Sequence, residues 1–174
     1  MERTEGQTAE TVLDMFNRQN TAENFDGESA AGLALKNFAA LLDDTDFVRE
    51  LELMEIGRLQ LMLRRQMLVE WRGLYMALWR LALEKSFPGE AEAMFAEFMA
   101  HYKNTHPDRL SAACVERAKE YWGMLAPAGE TDFNPAARHL TSFFSNDTKD
   151  TRSLSLKLAL HIRKTYTYIF DRLL

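Results

Sequence analysis

Residues 46–85 read DFVRELELMEIGRLQLMLRRQMLVEWRGLYMALWRLALEK, with no proline and no cluster of turn formers, only Gly57 and Gly73. Strands rarely run beyond about ten residues. The stretch is therefore expected to form one helix of unusual length, or two nearly collinear ones, over about 46–85. Phased in heptads, Met54, Leu61, Leu68, Tyr75 and Ala82 form one column. Leu53, Met67, Leu74 and Leu81 form a second, and Met62, Val69, Met76 and Leu83 a third. An arc this wide exceeds the seam of a two-stranded coiled coil and suits a central helix with neighbours on several sides. Glu70, Arg72 and Arg80 interrupt its most apolar part, so it falls short of the ~18 uncharged apolar residues of a membrane span.

The segments on either side also read as helices. Upstream, Thr8–Gln19 carries Val12, Leu13, Met15 and Phe16 at helical spacing. A second helix is expected from near Asp26, whose carboxylate can cap the first turn, through Leu33, Leu35, Phe38, Leu41 and Leu42. The cluster Asp43, Asp44, Thr45 and Asp46 ends that helix and starts the next. Downstream, Pro88, Pro107 and Pro135 are each expected in the first turn of a helix, where a missing N–H costs nothing. From about Asp150 to the C-terminus, Leu154, Leu156, Leu158, Leu160 and Ile162 alternate as a strand would. A lone strand would have no partner here, whereas Leu154, Leu158, Ile162, Tyr166, Ile169 and Leu173 also share a helical face, so a helix is expected.

These readings give an all-α fold, a bundle of about six or seven helices around the long central one, in a single domain over 1–174 with 1–7 as a flexible tail. A chain of 174 residues suffices for a substantial core. The single cysteine, Cys114, can form no internal disulfide, and the polar, acidic start MERTEGQTAE lacks the basic and apolar parts of a secretory signal. A soluble cytoplasmic protein is expected.

Charge is polarised along the chain. Residues 1–57 carry 13 acidic and 4 basic side chains, whereas 58–174 carry 13 acidic and 17 basic. The halves therefore have opposite signs, which suits an acidic layer folded over a basic surface, or such faces meeting between subunits or attracting a charged partner.

The candidate binding residues lie on the central segment. Arg58, Arg65 and Arg72 recur every seven residues beside Trp71, Tyr75 and Trp79. They could anchor a small apolar or anionic ligand in a pocket between helices, although arginines of this kind more often pair with carboxylates and aromatics at helical spacing more often form plain core. Glu97 and His101 stand four apart on one helix face, the weak beginning of a metal site that His106, His139 or His161 would have to complete. Cys114 reads as a small core residue, since no base or positive field stands in register with it. Lys157, Arg163, Lys164 and Arg172 interleave with Tyr166, Tyr168 and Phe170 as in some nucleic-acid grips, but the isoelectric point of about 5.4 argues against nucleic acid.

There is no phosphate-binding glycine loop, no nucleophile elbow and no Cys-x-x-Cys pair. No cofactor is expected. The reading that remains is a non-enzymatic interaction or regulatory protein that self-associates as a homodimer or binds a protein partner. Its alternatives are a small-ligand sensor with an arginine anchor and a metal-dependent enzyme at Glu97 and His101.

Overall fold

The computed structural model describes residues 29–144 and 148–173. The expected helix Thr8–Gln19, the Asp26 cap and the tail 1–7 lie outside these residues. Among the described residues there are seven α-helices and no strand: α1 (Ala30–Asp44), α2 (Val48–Leu53), α3 (Leu61–Ser86), α4 (Ala91–Thr105), α5 (Arg109–Leu125), α6 (Asn134–Thr141) and α7 (Thr148–Asp171), with a 3-10 turn at Gly129–Thr131. The chain is an all-α bundle, and α3 is its central helix.

Helix α3 packs against α1, α2, α4, α5 and α7. Leu74, Tyr75, Met76, Ala77, Leu78 and Trp79 are all buried, an unbroken run that only a helix enclosed on every side can show. The tightest approach is at Gly73, where a Cβ would stand 2.5 Å from that of Arg117 and 3.0 Å from the backbone nitrogen of Ala118 on α5. A side chain at 73 would push α5 away.

The segment expected to be one long helix is divided. Residues 46–60 form α2 and a turn, and α2 folds back along α3 instead of extending it. Phe47 meets Tyr75 edge-on at 5.0 Å, and farther along α2 the Met54 sulfur accepts a bond from Trp71 Nε1 at 3.2 Å. The partner number falls as the α2 number rises, so the two helices run antiparallel rather than collinear. The fold-back begins at a left-handed helix end. Ile56 N–H donates to Leu51 O and Glu55 N–H to Glu52 O, with Glu55 at φ 57°. This arrangement usually employs glycine, and a residue with a Cβ costs about 1 kcal/mol there. Burial of Leu51, Met54 and Ile56 in the common core offsets that cost.

Helix α1 starts at Ala30, capped by the Ser29 hydroxyl accepting from Gly32 N–H at 3.1 Å. The acidic cluster behaves as expected: α1 ends at Asp44, and Asp46 Oδ1 accepts from Val48 N–H at the start of α2. Pro135 occupies the first turn of α6. Pro88 and Pro107 do not enter their helices. Gly89 at φ 92° intervenes before α4, and α5 is capped by Asp108, whose Oδ1 accepts from Ser111 N–H at 2.7 Å. The strand-like leucines of α7 resolve into two helical columns. Leu158, Ile162, Tyr166 and Ile169 are buried, while Leu156 and Leu160 face outward.

Candidate functional site

Among the described residues, the three arginines of the column differ in burial. Arg58 and Arg65 are exposed, at the turn before α3 and on its first turns. Arg72 lies deeper, its guanidinium 5.7 Å from the centre of the Phe47 ring. It also acts on two neighbours: burial pushes the Tyr102 phenol and the Cys114 thiol upward, the thiol to about 11, and Arg72 opposes both shifts. Trp71 and Trp79 are fully enclosed in the core and Tyr75 nearly so. Trp79 stacks on Phe38 at 4.5 Å and meets Phe98 edge-on at 5.0 Å, so ring neighbours fill the space a ligand would need. Four surface grooves are lined by α1, α2, α6, α7 and adjoining turns, and none includes Arg58, Arg65, Arg72, Trp71, Tyr75 or Trp79.

The four histidines are likewise separate. Glu97 and His101 are both exposed on α4. His106 stacks on Tyr102 at 4.6 Å with Nε2 3.8 Å from Asp43, His139 lies beside Glu70 and His161 beside Glu50. No group of three or more His, Cys, Asp or Glu is arranged to hold a metal among the described residues.

The structure instead reveals two buried glutamates, each shared by three helices. Glu50 of α2 accepts from the Tyr75 hydroxyl of α3 at 3.0 Å and lies 2.9 Å from Nε2 of His161 on α7. Burial works to raise the Glu50 carboxyl, but hydrogen bonds from His161, its own backbone N–H and Tyr75 outweigh it and hold the group below its usual range. Glu70 of α3, 1% exposed, accepts from the Tyr121 hydroxyl of α5 at 2.9 Å and forms an ion pair with Arg117 Nε of α5, also at 2.9 Å, with His139 Nε2 of α6 at 3.6 Å. Burial first, then the neighbouring carboxylate, push both tyrosine phenols upward. No known family, curated protein or solved structure matches this chain. The two carboxylates are enclosed and satisfied by partners on adjacent helices, so each ties three helices together.

Two surface features find no partner among the described residues. At the corner between α2 and α3, Leu59 is 95%, Leu61 71% and Met62 82% exposed, in a stretch that also presents Glu55, Arg58 and Arg65 to solvent. Along the seam of α2 and α7 runs a groove with three cationic side chains. Sequence phasing placed Leu61 and Met62 in core columns. It could not show that the fold-back of α2 stops short of covering them. No helix among the described residues is long and apolar enough to cross a membrane.

Proposed function

We propose that this chain is a non-enzymatic interaction protein that associates with a second copy of itself through the α2–α3 corner. The observation that carries the reading is the continuous exposure of Leu59, Leu61 and Met62. Large apolar side chains scattered singly over a surface need no explanation, but a contiguous group rimmed by charge marks a contact site. A second copy suits it because a two-fold interface must be complementary to itself. The corner carries Glu55 together with Arg58 and Arg65, so its acid can meet the partner's cations on both sides of the axis.

The energetics set the strength. Burying these three side chains on both copies, six in all, contributes about 1.5–3 kcal/mol each, about 9–18 kcal/mol together. Association itself costs about 4–15 kcal/mol in lost freedom. The surplus is small, so the expected dimer is reversible and concentration-dependent rather than obligate.

Sedimentation velocity over a concentration series tests this. The dimer fraction should rise up to about 100 µM, and the double variant Leu59→Asp, Met62→Asp should stay monomeric throughout with an unchanged helical melting curve. A wild-type chain that remains monomeric across the series would rule the reading out.

A further inference from the structure

The groove between α2 and α7 has a volume of about 510 Å³ and is lined by Arg49, Glu52 and Leu53 from α2 and by Lys157, Leu160, His161 and Lys164 from α7. We propose that it binds a small anion bearing two or more phosphate groups and an apolar portion. Three observations lead there.

First, Arg49, Lys157 and Lys164 face one cavity, and among the described residues none of them is paired with a carboxylate. Among the described residues Glu52 is the one acid lining the groove, so cations there outnumber it three to one. Held together on a folded surface, these like charges repel, and a multivalent anion would relieve that repulsion. The guanidinium can grip a phosphate with two parallel bonds and the ammonium groups act as point charges, a combination suited to phosphate more than to a single carboxylate.

Second, the lining is held in place from behind. Lys157, His161 and Lys164 stand at positions i, i+4 and i+7, one face of α7. The His161 ring is fixed by Glu50 at Nε2, 2.9 Å away, and by the indole of Trp71 standing edge-on at 5.7 Å. Glu50, 5% exposed, is braced in turn by Tyr75. The imidazole thus reaches the groove in one orientation, which a surface that had merely collected lysines would not provide.

Third, Leu53 and Leu160 supply an apolar wall, and Leu160 is 54% exposed although it belongs to a long, well-packed helix. The volume falls within the ~300–1,000 Å³ of small-molecule sites. It is too small for a protein surface to enter.

This site is separate from the self-association corner, so each idea can fail without the other. Isothermal titration calorimetry of the full chain with inorganic tripolyphosphate, at low salt, provides the test. One saturable site per chain is expected, weakened at least about tenfold by Arg49→Gln or by Lys164→Gln and left unchanged by Arg58→Gln, which removes a cation at the other feature. All three positions are exposed, and circular dichroism of each variant verifies that the fold is retained. Heat that never saturates, or a loss in R58Q equal to that in K164Q, would overturn the proposal, because either result describes a diffuse charge effect. Measuring binding in the Leu59→Asp, Met62→Asp chain as well keeps the two ideas apart, since the groove should bind equally in the monomer.

Discussion

The two ends of α3 are built from the same kinds of residue and meet opposite fates. From Met67 to Leu83 its apolar side chains are almost all enclosed, whereas Leu61 and Met62, one to two turns earlier in the same helix, stand largely in water. What separates them is company rather than hydrophobicity. The later turns lie between α1, α4, α5 and α7, while the first turns extend past the point where α2 folds back. An apolar residue in a helix states only that burial would be favourable, and the partner that provides it must come from elsewhere in the molecule or from outside it.

Substitutions at the two ends give the largest expected contrast. Trp71→Ala, in the enclosed part, should lower unfolding free energy by about 3–5 kcal/mol, since it removes a fully buried ring and the bond to Met54. Leu61→Ala, at the bare end, should stay within about 0.5 kcal/mol. Urea titrations of both variants at a concentration where the chain is monomeric make the comparison, and similar losses would mean that Leu61 is covered.

Gly73→Ala should give an intermediate effect. A methyl group there collides with Arg117 and the α5 backbone, and forcing it in should cost about 1–3 kcal/mol, read as a fall in the urea midpoint. A neutral result would show that α3 and α5 can separate freely.

The smallest expected effect concerns pH. Glu50 is held below its ordinary value of 4.5, so its contribution is present above that pH and is lost as the pH falls below it and the folded-state carboxyl takes up a proton. Urea midpoints should therefore decline from about pH 5 to about pH 3, and less steeply in Glu50→Gln. Equal slopes in the two proteins would remove Glu50 from the account.

Much of the architecture could be read from the sequence because helices announce themselves locally. Periodicity revealed the central segment, and the Asp43–Asp46 cluster marked a real boundary. The fold-back at 54–56 was illegible for a specific reason: it turns at a glutamate in the left-handed region, where glycine is the usual signal. The glutamate braces were half visible. Glu70 was conspicuous in an apolar run, but its partners Arg117, Tyr121 and His139 come from other helices, far along the chain. Glu50 gave no such hint, because VRELEL reads as an ordinary amphipathic turn. The cationic groove was split between Arg49 and the last helix, and no spacing rule connects residues that only the tertiary fold brings together.

The Glu50–His161 contact also bears on the order of folding. Its two residues are 111 positions apart in sequence, while most other packing in the bundle joins helices that are near neighbours along the chain. Closing so long a loop is costly before the intervening helices have collapsed, and it becomes cheap once they have. Docking of the short α2 against α7 is therefore expected among the last events of folding, and its release among the first of unfolding. In hydrogen exchange, the amides of α2 should open while those of Leu74–Trp79 are still closed.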